Sequence, residues 1–326
     1  MMFRRGKWAM AAVLLGCALG VPAHGLQTAP RLGLRSASAL VQDQRTGEIL
    51  MEKESTTAHP IASITKLMTA MVVLDAKLDL QEPITILEED KDLLRHSRSR
   101  LPVGTTLTRG EAMLLALMAS ENRAAHALGR TYPAGIGAFV AAMNSKATAL
   151  GLGTARFQDP AGLSSGNVAS ARDLARIVDQ ASRYPEIRTC TTTEEATIQG
   201  RYHPILFHNT NRLLKNSRWQ IGLSKTGYID EAGQCLVMQA QLKERPVVIV
   251  LLDSVGKGSR FGDADRIRQW MEGADEAAPR PVLRVARVAR VRKASRVVKV
   301  ARVERRPARV VARTAKSRRR RRHNQA

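Results

Sequence analysis

The chain has 326 residues, a formal net charge of +23, 44% hydrophobic residues and three cysteines, with no uninterrupted apolar run of membrane-spanning length. Those values exclude an intrinsically disordered chain, a disulfide-rich miniprotein and a multi-span membrane protein. The charge is concentrated at one end: residues 279–326 hold 19 Lys and Arg against the single acid Glu304, whereas residues 1–278 carry 33 bases and 28 acids. One ordinary globular domain is expected between two unusual termini.

At the first terminus, Arg4, Arg5 and Lys7 precede an apolar stretch over residues 8–19, and small residues follow at Val21, Ala23 and Gly25. This is the layout of a secretory signal peptide, so residues 1–25 are expected to direct export, to a periplasm or an equivalent compartment, and to be removed. Leu14-Leu15-Gly16-Cys17 offers a competing signal, lipid attachment at Cys17, and the later small residues weigh against it. Once the signal is removed only Cys190 and Cys235 remain. An exported compartment permits a bridge between them, but the sequence does not determine the separation a bridge needs.

From residue 26 the sequence reads as one domain running to residue 275. Residues 39–42 and 48–51 read as strands joined at Arg45-Thr46-Gly47, a hairpin signal. Beyond His59-Pro60, residues 63–74 combine helix formers and β-branched residues without a breaker, which predicts a buried helix starting near Ser63. Thr108-Arg109-Gly110-Glu111 has capping-box spacing ahead of the apolar run 112–118. A helix over 139–150 should end at Gly151, and another over 170–181 opens on Ser-x-x-Asp and stops before Pro185. After Glu194 the pattern turns to strands, over 196–198, 205–207, 221–225, 235–242 and 247–252. The last two form a hairpin that should be central, because residues 247–252 are apolar throughout. A helix over 263–271 closes the domain. Strands at both ends with helices between them indicate the α+β class, an antiparallel sheet with flanking helices and a helical subdomain.

Three short motifs carry chemistry, in this order: Ser63-Ile64-Thr65-Lys66, Ser120-Glu121-Asn122 and Lys225-Thr226-Gly227. Ser and Lys three apart at a helix start share one face, so the lysine can reach the hydroxyl. The helix N-terminus adds positive potential and free backbone N–H groups where an oxyanion would form. A lysine buried beside a second cation is pushed towards its neutral form and can take the serine proton; Lys225 is the expected second cation. Ser120 could relay a proton to a leaving amine, Asn122 could hold both a substrate backbone and Lys66, and Thr226 could face an anionic group. Gly227 would let a substrate lie against the strand as an added edge. Each motif alone is weak: Ser254-Val255-Gly256-Lys257 repeats the first and Ser165-Gly166-Asn167 the second. Context separates them, because Ser254 follows a strand and Ser165 lies in the loop around Pro160-Ala161-Gly162-Leu163, away from a helix junction.

The ordered triplet resembles the signature of the penicillin-recognising serine enzymes. The surrounding sequence is similar to the D-alanyl-D-alanine peptidases of the low-molecular-mass penicillin-binding proteins, and most to their DD-endopeptidase branch. Ala62-Ser63-Ile64-Thr65-Lys66-Leu67-Met68-Thr69, Met118-Ala119-Ser120-Glu121-Asn122-Arg123-Ala124-Ala125 and Met143-Asn144-Ser145-Lys146-Ala147 carry the likeness. So do Asn209-Thr210-Asn211, Ser224-Lys225-Thr226-Gly227 and Gly233-Gln234-Cys235-Leu236-Val237-Met238, and it spans residues 36–273. The resemblance implies the fold shared by β-lactamases and transpeptidases. It implies Ser63 as acylated nucleophile, Lys66 as its base and Ser120 as the third catalytic residue. Asn122, Lys225, Thr226, Gly227 and Tyr228 would bind substrate, with an oxyanion hole built from the backbone N–H groups of Ser63 and Tyr228. The implied substrates are D-Ala-containing peptides of peptidoglycan, with β-lactam antibiotics as covalent inhibitors, and neither metal nor cofactor is implied.

Beyond the domain, residues 276–326 form a basic low-complexity tail where the better-known carboxypeptidases have a second β-rich domain and an amphipathic anchor. Val at 282, 285, 288 and 291 and Arg at 284, 287 and 290 repeat every third residue, a period of neither strand nor helix. Disorder is expected, with retention on anionic envelope polymers as its sharpest function and no specific nucleic-acid binding, since aromatic stacking residues are lacking. The leading function is an exported peptidoglycan DD-endopeptidase. The alternatives are a DD-carboxypeptidase, more remotely a β-lactamase, which would need a further general base for deacylation, or a wall-binding protein with relic motifs.

Overall fold

The computed structural model describes residues 32–273. The expected signal segment, including Cys17, and the basic tail lie outside the described residues. In chain order the first elements are strands β1 (Ser36–Asp43), β2 (Ile49–Lys53) and β3 (His59–Pro60), a 3-10 turn (Ala62–Thr65) and helix α1 (Lys66–Asp75). Strands β4 (Pro83–Thr85) and β5 (Thr106–Thr108) lead into helices α2 (Arg109–Met118), α3 (Asn122–Arg130) and α4 (Gly135–Ala149). Strand β6 (Val168–Ala169) precedes helices α5 (Ala171–Ala181) and α6 (Pro185–Thr192). The last part holds the hairpin β7 (Glu195–Gln199) and β8 (Pro204–His208), the long strands β9 (Gln220–Ile229), β10 (Gly233–Leu242) and β11 (Arg245–Ser254), and helix α7 (Ser259–Met271).

The main sheet has the order β2-β1-β11-β10-β9 and is antiparallel throughout. The reason β11 is apolar without a break over residues 247–252 lies in its two covered faces. Val247, Ile249 and Leu251 pack with Phe261, Ala264 and Ile267 of α7 on one side. Val248, Val250 and Leu252 face the larger core that contains Leu67 and Met71 of α1 and Leu174 and Val178 of α5. A strand buried on both faces has no polar alternation to show. Strand β9 is the edge of this sheet, and it carries the third motif.

The expected elements form, with α4 and α7 starting earlier than expected, at Gly135 and Ser259, and with two further differences. The helix after Ser63 begins as a 3-10 turn before becoming α-helical at Lys66. Pro185 starts a helix instead of only ending one: it sits in the first turn of α6, where its missing N–H costs nothing. Both expected N-terminal caps are present. The Thr108 side chain accepts from Glu111 N while Thr108 N donates to the Glu111 carboxylate, and Ser170 accepts from Asp173 N. Cys190 and Cys235 are buried and unbridged, and burial pushes their thiols up to about 12 and about 11. No helix among the described residues is long and apolar enough to cross a membrane.

Candidate active site

The site lies where α1, the α2–α3 junction and β9 converge. Ser63 is the second residue of the 3-10 turn, so no carbonyl behind it within the turn can accept its N–H. Two neighbouring positions hold backbone that L-residues rarely adopt: Ala62 has φ +47° and Ser120, between α2 and α3, has φ +59°. Such strain persists only where surrounding structure enforces it, and it clusters at functional sites. At Ala62 the enforcement is visible. A Cβ added to Gly227 of β9 would lie 2.8 Å from the Ile61 carbonyl oxygen and 3.3 Å from Ser63 N, and one added to Gly162 would lie 2.0 Å from the Ala62 carbonyl oxygen. The turn bearing Ser63 is clamped between two glycines. Gly227 is thus needed for packing against the serine turn, a second reason beyond the expected substrate approach.

Lys66 is fully buried and its Nζ has three acceptors: Ser63 Oγ at 2.8 Å, Asn122 Oδ1 at 2.8 Å and the Ala161 carbonyl at 2.6 Å. Burial pulls its pKa down to about 7, and the negative charges of Asp159, Glu121 and Asp92 restrain the fall. Lys225 is buried as well, and donates to Ser120 Oγ at 2.9 Å and to the Thr226 carbonyl at 3.0 Å. Its burial, and then the charges of Lys66 and Arg260, push it well below the ordinary lysine value. The charge of Lys66 thus acts on Lys225, whereas Lys66 is lowered by burial and not, as the sequence led us to expect, chiefly by Lys225.

The remaining expected residues take these places. Asn122 donates from Nδ2 to Ser97 Oγ at 2.9 Å while its oxygen accepts from Lys66. Thr226 donates to Thr210 Oγ1 at 2.6 Å. Tyr228 turns its phenol to solvent, where it donates to Asp230 at 2.7 Å, so its backbone alone is available beside Gly227. All eight expected site residues thus lie in this one region.

Several residues of the site carry no motif. Asp159 Oδ1 accepts from the N–H groups of Ala161, Gly162 and Leu163 at 2.7, 2.6 and 3.2 Å, which shapes the loop that presents the Ala161 carbonyl. Asn167, read from sequence only as the end of a spare Ser-x-Asn, is buried and ties that loop to the serine turn, donating to Thr65 Oγ1 at 3.0 Å and to the Asp159 carbonyl at 2.8 Å. Arg260, near the start of α7, donates from Nη1 to the Gly227 carbonyl at 3.1 Å, and its buried Nε has no partner among the described residues. The sequence marked Pro160-Ala161-Gly162-Leu163 as a loop; nothing local marked its role or that of Asp159.

The fold and this ring of side chains define a class: serine hydrolases in which a buried lysine, not a histidine, faces the serine. Residues 26–256 match the family described as peptidase S11, D-alanyl-D-alanine carboxypeptidase. The chain is 48% identical over 241 residues to a D-alanyl-D-alanine endopeptidase of Pseudomonas aeruginosa, an alignment covering 73% of this chain and 78% of that one. It is 42% identical over 247 residues to a D-alanyl-D-alanine endopeptidase of Escherichia coli, covering 75% and 80% respectively. Among solved structures, the Streptomyces K15 DD-transpeptidase matches with a TM-score of 0.69 at 28% identity, over 76% of this chain and 99% of that one. The chain belongs to the D-alanyl-D-alanine carboxypeptidase family.

Proposed function

We propose that the protein is an exported serine endopeptidase that opens D-alanyl cross-links of peptidoglycan through an acyl-enzyme on Ser63. The observation that carries the reading is the environment of Lys66. When neutral, Lys66 can spend its two N–H bonds on Asn122 Oδ1 and the Ala161 carbonyl, which leaves its lone pair facing Ser63 Oγ at 2.8 Å. Ser63 Oγ attacks the D-Ala carbonyl as its proton passes to Lys66, and the oxyanion takes N–H bonds from Ser63 and Tyr228. The C–N bond then breaks as the leaving amine takes, through Ser120, which Lys225 holds, the proton that Lys66 accepted from Ser63. Water attacks the ester while the now neutral Lys66 takes its proton, and Lys66 returns that proton to Ser63 Oγ as the ester C–O bond breaks and the acid product leaves. Asn122 and Thr226 bind the peptide, and Lys225 with Arg260 supplies positive potential for its carboxylate end. β-Lactams acylate the same serine as mimics of the D-Ala peptide. The endopeptidase assignment is supported by the names of the two relatives above 40% identity. Digestion of purified cross-linked muropeptides, with products separated by mass, tests it: dimers should fall to monomers. Loss of only a terminal D-Ala would make the protein a carboxypeptidase.

The basic clusters and small residues of segment 1–25 support export to a periplasm. For residues 276–326 the charge supports a polyelectrolyte tether on anionic envelope polymers. Truncation after residue 275 should leave penicillin acylation unchanged and weaken retention on sacculi, most at low salt. Salt-independent retention of the truncated protein would eliminate the tether.

A further inference from the structure

Beside the end of the site that receives a carboxylate, two arginines share one aromatic ring. The guanidinium carbon of Arg260 lies 4.9 Å from the centre of the Phe261 ring, and that of Arg212 lies 4.7 Å from the same centre. Neither arginine forms an ion pair with a carboxylate among the described residues. Burial holds Arg260 below the ordinary guanidinium value, and the charge of Arg212 adds to the fall. Like charges held this close raise each other's energy, and an anion placed beside them removes that cost.

Arg212 is fixed to the site from two directions. It opens the 3-10 turn Arg212–Lys215, which the buried Asn211 caps by accepting from Leu213 N at 3.0 Å. The residue before Asn211 is Thr210, whose N–H donates to the Met118 carbonyl at 3.1 Å and whose hydroxyl takes the Thr226 hydrogen bond at 2.6 Å. From the other direction, Arg260 donates to the Gly227 carbonyl at 3.1 Å, and Phe261 is the next residue of α7. Arg212 therefore stands past Thr226 and Arg260, on the side where the leaving group of the proposed reaction emerges. Its side chain is exposed there and open to a ligand.

The next step rests on the proposed function. A carboxypeptidase releases a single amino acid, whose one carboxylate is met by Thr226, Lys225 and Arg260. Opening a cross-link releases a whole second peptide, which continues past that carboxylate. We propose that Arg212 is a specificity residue for the leaving strand, pairing with a second carboxylate that a cross-linked peptide carries and a released terminal D-Ala lacks. The guanidinium can stay stacked on Phe261 while its outer N–H groups face the carboxylate, so little side-chain freedom is lost when the ligand binds. The contact adds binding on the leaving side alone and leaves the chemistry at Ser63 untouched.

Three model substrates with one acyl half and different leaving amines test this. The leaving part is a single amino acid with one carboxylate, a cross-linked peptide with a second free carboxylate, or that same peptide with its second carboxylate amidated. The quantity compared is kcat/KM for amine release, followed by mass spectrometry, per penicillin-labelled site of the full-length protein. Wild type should cleave the free cross-linked peptide about fivefold better than the amidated one, the upper end for a solvent-exposed ion pair, and the preference should shrink as salt rises. Arg212→Gln should bring those two to equal rates while cleaving the single-amino-acid substrate and taking up penicillin as wild type does. Arg212→Lys, which keeps the charge, should retain part of the preference. Equal rates for the two cross-linked peptides in wild type, or an Arg212→Gln protein slowed in proportion on all three substrates and on penicillin, would overturn the specificity role and leave the endopeptidase reading standing. A wild type that is labelled by penicillin but cleaves only the single-amino-acid substrate would overturn both.

Discussion

The chain contains the pattern Ser-x-x-Lys twice, and the two copies do opposite things. At 63–66 the backbone is helical, so the lysine folds back over the serine and Nζ meets Oγ at 2.8 Å. At 254–257 the serine ends β11 and the chain turns through Gly256 and Gly258 at φ +98° and +79°, which sends Lys257 into solvent. Ser254 is instead a buried staple: it donates to Ser259 Oγ at 2.7 Å and lies 3.5 Å from Asp263, whose carboxylate also takes Ser36 Oγ at 2.6 Å. A spacing of three brings side chains together only on a helical backbone. Identical residues at an identical spacing thus yield a candidate nucleophile in one place and a strand-to-helix tie in the other.

The sharpest way to break this contrast is to remove each hydroxyl. Ser63→Ala should abolish labelling by a fluorescent penicillin and hydrolysis of muropeptides. Ser254→Ala should keep the labelling and lower stability by about 1–2 kcal/mol in urea unfolding, the cost of a lost buried hydrogen bond. Labelling that survives Ser63→Ala would end the assignment. Next in size is Lys66→Arg, which keeps a cation that cannot give up its proton; acylation should fall about 10³-fold, the range of a lost general base, in stopped-flow or competition assays. Equal rates for Lys66→Arg and wild type would move the base elsewhere.

The pH profile sharpens the same point. With Lys66 held down to about 7, the group is protonated below that pH and cannot accept from Ser63. The acylation rate should therefore drop as pH falls through about 7, by about tenfold per unit below it, and level off above. A flat profile from pH 5 to 8, recorded on protein shown to stay folded, would mean that Lys66 does not carry the titration. A smaller effect is expected from Gly162→Ala. The new Cβ meets the Ala62 carbonyl at a φ of +78°, so stability should fall by about 2–3 kcal/mol and labelling should slow because the Ala161 carbonyl shifts. Smallest is Thr108→Ala, far from the chemistry, which removes one half of the α2 capping box and should cost about 1 kcal/mol in the same unfolding assay without changing labelling.

The parts of this molecule that were legible in advance are those whose causes are local. The capping box at Thr108 and Glu111, the cap at Ser170, the unbroken apolar run of β11 and the helix behind Ser63 all follow from residues within a few positions of one another. Helix α6 escaped because Pro185 obeys two local rules, as a stop for the preceding helix and as a start for the next, and sequence alone favoured the first. The role of the Ala161 carbonyl had no local sign at all, since every residue owns such a group. Arg260 was equally silent: a base near a helix start becomes part of the site only because α7 brings it to the Gly227 carbonyl.

What the sequence by itself determined is the order and chemistry of the three motifs, the α+β alternation and the central place of β10 and β11, because these rest on side-chain type and short-range periodicity. What only the tertiary structure decided is which lysine loses its water, which serine it faces and which carbonyl holds it there. Lys66 meets Ala161 from 95 positions away and Ser120 meets Lys225 from 105, so neither contact is encoded in any window of neighbours. A pKa near 7 arises only when burial strips solvent from an ammonium whose partners are already fixed, and that is a property of the packed fold.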